Sequence, residues 1–332
     1  MMKRILYLTS TVISAVICQS CAKNSDLGPN EANKMFFDSW IQIYHPDARK
    51  EGLGIYLLED KPGNGGALGS ENDYPYLYIT YTSKDLDGNI TETTDAKLAQ
   101  QIGTYDESHY YGPKVLMRGQ YMINAGMEMM LAPMKVGGER TAAIPGWFAT
   151  TDRYKTEEGY LKKVTGNNAI YTLAVKDAIK DIAKWQVDSI ERYIARNFKE
   201  KVDSVMYGYY YIQTQEPTDT TSIPKTEEVK VHYTGQLLNG QIFDTSDKDT
   251  AKDAHLYSEG KSYSPLSVTL KEDYTEMDMV KGFSYCVSNM KKGEKGICIF
   301  YSALGYEGSG SGETIPGYSP LRFDIEMLGT DD

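Results

Sequence analysis

The sequence is poor in the residues from which metal sites and disulfide frameworks are built. Its 332 residues include four cysteines and four histidines. The histidines are scattered and lack metal-ligand spacing with cysteine or with carboxylates. Only Cys286 and Cys298 follow residue 21, and two cysteines do not make a disulfide framework. Because both have apolar neighbours, we favour buried free thiols, with a disulfide between them as the open alternative.

Positive charge and long apolar runs are also scarce. There are 35 Lys and Arg against 46 Asp and Glu, a net charge of −11, without a basic cluster. Nucleic-acid phosphates would need a Lys/Arg surface, so we exclude a nucleic-acid partner. No apolar run reaches the roughly 18–20 residues that cross a bilayer. The glycine-rich stretches 63–66 and 308–312 match no phosphate loop, and we expect neither a cofactor nor a metal.

The first 21 residues have the pattern of a targeting signal. A basic Lys3-Arg4 pair precedes an apolar stretch from Ile5 to Ile17, which is too short to span a membrane. The segment Cys18-Gln19-Ser20-Cys21 then resembles a bacterial lipobox, which implies acylation of Cys21. Acyl chains would anchor the protein without a spanning helix. We therefore expect a lipid-anchored protein of the cell envelope, with the outer membrane favoured and the membrane face open. An ordinary cleaved secretory signal is the alternative.

The rest of the chain alternates between strand-like and helix-like patterns. Apolar residues recur every three or four positions from Asp177 to Val205, which predicts a helix of about 30 residues and roughly 45 Å. We interpret it as a spacer rather than a coiled-coil partner site. We assign residues 1–21 to a signal peptide, 22–50 to a tether and N-terminal helix, 51–176 to a first domain, 177–206 to the linker helix and 207–330 to a second domain.

A weak internal repeat relates the two domains. Ile79-Thr80-Tyr81 parallels Val231-His232-Tyr233, and Met134 to Gly137 parallels Met290 to Gly293. The chain therefore carries one domain type twice.

Six ordered motifs in the second half carry a more specific signal. They are VHYTG from Val231, V-K-G-F from Val280, M-K-K-G-E-K from Met290, A-L-G-Y from Ala303, I-P at Ile315 and L-R-F-D-I-E-M-L from Leu321. Together they resemble the FKBP family of peptidyl-prolyl cis-trans isomerases, across Tyr209 to Leu328. The resemblance implies an α+β fold with two FKBP-like domains, each a bent antiparallel sheet wrapped on a short helix, joined by the long helix. The whole chain is similar to a tandem-domain bacterial lipoprotein of Bacteroidota type.

The resemblance also implies a proline pocket. Its catalytic residues would be Tyr233, Phe243, Asp244, Phe283, Tyr306 and Phe323, and its substrate-binding residues Met279, Val280 and Ile315. Phe283 stands where the family most often has Trp, and Glu307 replaces a common Gly. Leu266 and Val268 replace aromatic residues of one wall. The family implies that the Tyr306 hydroxyl and the Ile315 backbone N–H hold the carbonyls flanking the proline, while Asp244 makes polar contacts rather than transferring a proton.

An apolar aromatic pocket suits this reaction. Rotation about a peptide bond costs about 18–20 kcal/mol because the twisted state loses resonance. A twisted amide is less dipolar than a planar one, so a pocket that excludes water favours the transition state. A tertiary X–Pro amide has no N–H to desolvate there.

The first domain lacks these pocket residues. Thr91-Glu92 stands in place of Phe243-Asp244, Met127 in place of Phe283 and Asn124 in place of Val280. Polar Asn and Thr side chains facing a proline ring would be left without hydrogen-bond partners. We therefore predict a degenerate FKBP-like domain that keeps the fold without catalysing, with client binding or dimerisation as its role.

The sequence thus favours an envelope isomerase that assists the folding of exported proteins, whose X–Pro bonds otherwise isomerise over tens of seconds. The alternative is a non-catalytic chaperone or binding lipoprotein, which 27 Tyr against eight Phe support, since Tyr is common at binding surfaces. A platform for glycans is a third possibility that has no motif behind it. The expected partners are proline-containing unfolded or exported polypeptides, the membrane through the lipid and, by the resemblance, macrolide immunosuppressants.

Overall fold

The computed structural model describes residues 29–119, 122–199, 202 and 204–330. The predicted signal peptide, Cys21 and the tether up to residue 28 lie outside these residues. None of the helices in the described residues combines the length and the apolar character that crossing a membrane requires.

The first half of the described chain is built around an antiparallel sheet. Its strands are β1 Arg49–Glu51, β2 Ile55–Lys61, β3 Tyr76–Lys84, β4 Ile90–Thr93, β5 Lys114–Met117, β6 Glu139–Ile144 and β7 Ala169–Ile179. Their order is β1-β2-β6-β7-β3-β4, and β5 pairs with β3. The accompanying helices are α1 Pro29–Tyr44, α2 Ala96–Gln101, α3 Ala125–Leu131, α4 Glu157–Lys163 and a 3₁₀ helix at Gly146–Phe148.

The second half repeats this arrangement. Its strands are β8 Ser204–Met206, β9 Tyr209–Gln215, β10 Glu228–Leu237, β11 Ile242–Thr245, β12 Leu266–Thr269, β13 Lys295–Phe300 and β14 Leu321–Gly329. The order β8-β9-β13-β14-β10-β11, with β12 on β10, matches the first sheet strand for strand. The helices are α5 Ile182–Asn197, α6 Lys248–Asp253, α7 Lys281–Asn289 and 3₁₀ helices at Tyr274–Glu276 and Ser302–Leu304. The predicted α+β fold with two FKBP-like domains is confirmed.

The core of the second domain lies between α7 and the sheet. Strand β14 alternates strictly between inward and half-exposed residues, so Phe323, Ile325 and Met327 all face α7. Fully burying a side chain of this size contributes about 1.5–3 kcal/mol. Gly282 lets the helix approach closely, because a Cβ atom there would lie 2.4 Å from the ring of Phe300.

The connecting helix is shorter than the sequence pattern indicates. Strand β7 continues to Ile179, and Asp181 caps α5 by accepting a hydrogen bond from the Lys184 N–H. The helix ends at Asn197 after 16 residues, and Phe198 is already extended. The prediction of a helix over 177–206 is therefore wrong at both ends. The apolar spacing continues beyond Asn197 because Phe198 and Val202 pack against the same hydrophobic cluster as Ile190 and Ile194 of the helix, although their own backbone is not helical.

Helix α5 is also more than a spacer. Ile190 and Ile194 are buried against Tyr210, Ile297 and Ile299, on the face of the second sheet that points away from α7. The helix is thus packed onto the second domain and covers the outer side of its sheet.

Candidate functional site

A cavity of about 530 Å³ opens between the start of α7, strand β14 and the loop that follows β13. Its lining residues come from strands β10, β11, β12 and β14, from the start of α7 and from the segments that precede α7 and follow β13. They are Tyr233, Asp244, Leu266, Met277, Asp278, Met279, Val280, Lys281, Phe283, Gly305, Tyr306 and Phe323. Seven of the nine residues that the sequence predicts for the pocket line it.

Three aromatic rings form the inner end of this cavity. Phe283 lies on the first turn of α7, where its ring meets Phe323 at 5.2 Å and 67° and Tyr233 at 5.6 Å and 79°. Edge-to-face contacts of this kind contribute about 0.5–1.5 kcal/mol beyond the burial of area. The floor is therefore apolar and held in shape by its own packing.

The polar groups stand at the rim. The Tyr233 hydroxyl donates to Asp244 Oδ2 at 2.7 Å, and Asp244 Oδ1 accepts from Lys261 Nζ. Burial, followed by the hydrogen bond to Asp244, raises the pKa of Tyr233. Burial, followed by the Asp244 charge, also raises the pKa of Tyr306. Both phenols are therefore neutral hydrogen-bond donors at neutral pH.

Tyr306 is carried by a loop with an unusual backbone. The residue after it, Glu307, has φ +51°, in the left-handed region that favours glycine. The Glu307 N–H donates to Ser302 O at 2.8 Å, and its carbonyl accepts from the Tyr318 N–H at 2.7 Å. This conformation explains why a glycine suits this position. Despite the departure, Tyr306 lines the cavity.

Phe243 and Ile315 do not line the cavity but pack with the core of the second domain. The Phe243 ring packs edge-on against Phe323 at 5.5 Å and 80°. Ile315 is buried in the same core, and its backbone N–H donates to Ser311 O at 3.1 Å. The expectation that this N–H holds a substrate carbonyl is wrong, because the hydrogen bond to the loop already uses it.

Val280 offers a main-chain donor instead. It is the N-cap residue of α7, it lines the cavity, and its N–H has no acceptor among the described residues. The first N–H groups of a helix have no intrahelical partner. The V-K-G-F helix start in the sequence was the signal that could have identified this donor.

Lys261 is the main polar group that the sequence analysis missed. It lies in the stretch between α6 and β12, 17 residues from its partner Asp244, and no motif includes it. Leu266, which stands where an aromatic wall was expected, does line the cavity.

The two cysteines lie behind the floor. Cys286 and Cys298 are both free and buried, so the interpretation as buried thiols is confirmed. Burial raises the pKa of the Cys298 thiol. Within the described residues, no group of three or more His, Cys, Asp or Glu side chains could hold a metal ion.

The matching positions of the first domain are hydrogen-bonded to one another. Tyr81 donates to Glu92 as Tyr233 does to Asp244. Where the second domain places Phe243 beneath Gly235, the first pairs Thr91 with Ser83, at 2.7 Å between the hydroxyl oxygens.

Asn124 accepts a hydrogen bond from the Met127 N–H at 2.7 Å and so caps α3. Asn124 and Thr91 thus both have hydrogen-bond partners in this structure, and their lack of partners against a proline ring stays a prediction.

Comparisons with known proteins agree on one family. The family model described as FKBP-type peptidyl-prolyl cis-trans isomerase matches residues 219–328. A probable FKBP-type peptidyl-prolyl cis-trans isomerase of Haemophilus influenzae is 31% identical over 176 residues, which cover 52% of this chain and 64% of that protein. FK506-binding protein 2 of Dictyostelium discoideum is 33% identical over 129 residues, which cover 38% of this chain and 80% of that protein. The crystal structure of FkpA from Escherichia coli is 27% identical and covers 44% of this chain and 59% of that chain, with a TM-score of 0.33.

Proposed function

The chain belongs to the family of FKBP-type peptidyl-prolyl cis-trans isomerases, and on that premise we propose that its second domain catalyses the cis–trans isomerisation of X–Pro peptide bonds. The observation that carries the proposal is the cavity whose floor is formed by Tyr233, Phe283 and Phe323. These rings give a proline side chain an apolar, water-excluding site of fixed shape.

The apolar floor accounts for the rate enhancement. The planar X–Pro amide is strongly dipolar and loses hydration when it enters the cavity, whereas the twisted amide is less dipolar and loses less. The cavity therefore stabilises the twisted state relative to the planar one, which lowers the barrier without nucleophile or proton transfer.

The rim groups orient the peptide. The Tyr306 hydroxyl and the Val280 N–H lie on the cavity lining, and both are donors, so they suit the carbonyls that flank the proline. Asp244 is engaged by Tyr233 and Lys261 and so fixes the rim rather than exchanging protons.

The experiment is an isomerisation assay on a proline-containing peptide with the full chain. Phe283→Ala removes the floor, and we expect kcat/KM to fall at least about tenfold, equal to about 1.4 kcal/mol of transition-state stabilisation. The matched control is Phe36→Ala, since Phe36 is exposed on α1. If the wild-type protein does not accelerate isomerisation above the uncatalysed rate, the proposal is refuted, and the alternative of a non-catalytic binding protein stands. Unchanged activity in Phe283→Ala would show that catalysis does not take place in this cavity.

The natural substrates follow from the location that the sequence predicts. We propose that acylated Cys21 anchors the chain to an envelope membrane, where exported polypeptides with X–Pro bonds are its clients. Cys21→Ala should move the protein to the soluble fraction, whereas Cys18→Ala, three residues earlier in the signal, should leave it with the membrane. Membrane retention of Cys21→Ala would refute lipid anchoring.

The cavity is also proposed to accept a macrolide. The Dictyostelium relative is named an FK506-binding protein, and the same aromatic floor suits a bulky apolar ligand. FK506 should inhibit the isomerase competitively with the peptide. Inhibition that is not relieved by excess peptide would place the ligand elsewhere.

A further inference from the structure

The loop that carries Tyr306 is held by the first domain. We call residues 305–319 the Tyr306 loop. The Tyr110 N–H, from the stretch before β5 in the first domain, donates to the Glu313 carbonyl at 2.8 Å. Lys114 Nζ lies 3.4 Å from the Glu313 carboxylate. The side chain of Tyr110 also packs against the core of the second domain. One segment of the first domain thus contacts the middle of the loop.

A second contact holds the end of the loop. The Tyr318 ring meets Tyr76 of strand β3 at 5.2 Å and 73°, and its hydroxyl approaches Met117 Sδ of strand β5 at 3.3 Å. Both partners belong to the first sheet. The contact therefore joins the loop to a rigid element rather than to another loop.

The backbone of the loop needs such support. Glu307 and Tyr318 have φ +51° and +61°, and each is a residue with a side chain in the left-handed region. Conformations of this kind persist only where the surrounding structure fixes them. The Tyr318 N–H donates to the Glu307 carbonyl at 2.7 Å, so the residue that Tyr76 holds is bonded directly to the residue after Tyr306.

We propose that the first domain is a positioning element of the isomerase, in which Tyr76 and the main chain of Tyr110 hold the Tyr306 loop so that Tyr306 lines the proline cavity. This inference rests on the proposed function of the second domain. It gives the degenerate domain a role in the reaction that needs no pocket of its own. Tyr76 is a positioning residue, because it acts through Tyr318 and touches no substrate.

The physical consequence is a change in population. Without the contact, the loop samples conformations in which Tyr306 has left the cavity, and the apparent dissociation constant rises by the inverse of the competent fraction. Once the peptide is bound, the loop is in place and the rotation step is unchanged. Loss of the contact should therefore raise KM and leave kcat nearly constant.

The test uses full-chain variants in the peptide isomerisation assay, with amide hydrogen exchange as a second measurement. We expect Tyr76→Leu to raise KM about fivefold with kcat within twofold, as loss of one aromatic pair implies. Tyr76→Phe, which keeps the ring, should recover most of the loss. The control is Tyr44→Leu, whose ring packs on Trp40 within α1 and away from the stretch that carries Tyr110.

A second variant tests whether the effect passes through Tyr318. Tyr318→Leu combined with Tyr76→Leu should cost no more than the larger single effect, because both remove the same contact. Additive losses would show that Tyr76 acts by another route and would overturn the inference.

Hydrogen exchange separates this inference from the proposed function. In Tyr76→Leu the amides of the Tyr306 loop should exchange faster, while those of α7 should not change. Unchanged loop exchange, or kinetics equal to those of Tyr44→Leu, would refute the positioning role even in an active enzyme. An inactive wild type would refute the isomerase, and loop exchange would still decide whether the first domain holds the loop.

Discussion

Replacing Gly235 by serine should damage the second domain in a way that a second substitution repairs. A Cβ atom at Gly235 would lie 2.5 Å from the Phe243 ring and 2.8 Å from the Phe323 ring. Both rings would have to move, and overpacking of this kind costs about 1–3 kcal/mol. Since Phe323 forms part of the cavity floor, we also expect kcat/KM to fall.

The first domain shows which second substitution should restore the packing. It has Ser83 and Thr91 at the matching positions, with their hydroxyl oxygens 2.7 Å apart. The double variant Gly235→Ser/Phe243→Thr should therefore be more stable than the sum of the two single losses predicts, by roughly 0.5–3 kcal/mol of coupling. Activity should not return, because the double variant still lacks the edge-on contact of Phe243 with Phe323.

Thiol labelling measures the stability of this domain separately. Cys286 and Cys298 are buried in the second domain, so they react only when it opens. Trp40 and Trp147 pack in the core of the first domain, so their fluorescence, measured in a Trp185→Phe background because Trp185 lies on α5, reports on the first domain. Labelling of Gly235→Ser should be faster at unchanged fluorescence. Wild-type labelling rates in Gly235→Ser, or strictly additive effects in the double variant, would refute the packing argument.

Three further predictions follow from the described contacts. Glu307→Gly should stabilise the second domain by about 1 kcal/mol, seen as slower thiol labelling, because it relieves the left-handed backbone; faster labelling would contradict this. Gly282→Ala should speed labelling, because its methyl group would meet the Phe300 ring at 2.4 Å, unlike Gly260→Ala, which meets no neighbouring atom. Because the folded state raises the pKa of Tyr233, the neutral phenol stabilises the fold fully below pH 10, and this contribution is lost as the pH rises above that value. Tyr233→Phe should therefore reduce the loss of folding stability at alkaline pH, and an unchanged loss would contradict the role of Tyr233.

The pocket could be predicted because its residues occur in ordered motifs. Phe283 lies at a helix start and Phe323 on an alternating strand, and both elements are predicted by the sequence pattern, whereas Tyr306 lies in a loop that only the A-L-G-Y motif identifies. Alternation along β14 alone decides that Phe323 faces α7. Local patterns therefore predict the elements and the orientation of Phe323, whereas the choice of the pocket residues rests on the family resemblance.

What the sequence could not provide were pairings between distant segments. Lys261 reaches Asp244 from a stretch without a motif, and Tyr76 meets Tyr318 across 242 positions of the chain. The length of the linker helix was overestimated because Phe198 and Val202 keep a helical spacing in the sequence although their backbone is not helical. The Ile315 N–H was misassigned because hydrogen bonding inside a loop leaves no periodic trace.

The two domains fill one matching place in their sheets with different pairs of residues, Gly235 and Phe243 in the second domain and Ser83 and Thr91 in the first. In the second domain a residue without a side chain faces the large Phe243 ring, whereas in the first domain two hydroxyl groups face and bond each other, beside a tyrosine–carboxylate pair that both domains have. Each domain therefore fills this part of its sheet in a self-consistent way, and the first sheet offers a packed surface for the contacts that Tyr76 and Met117 make with Tyr318.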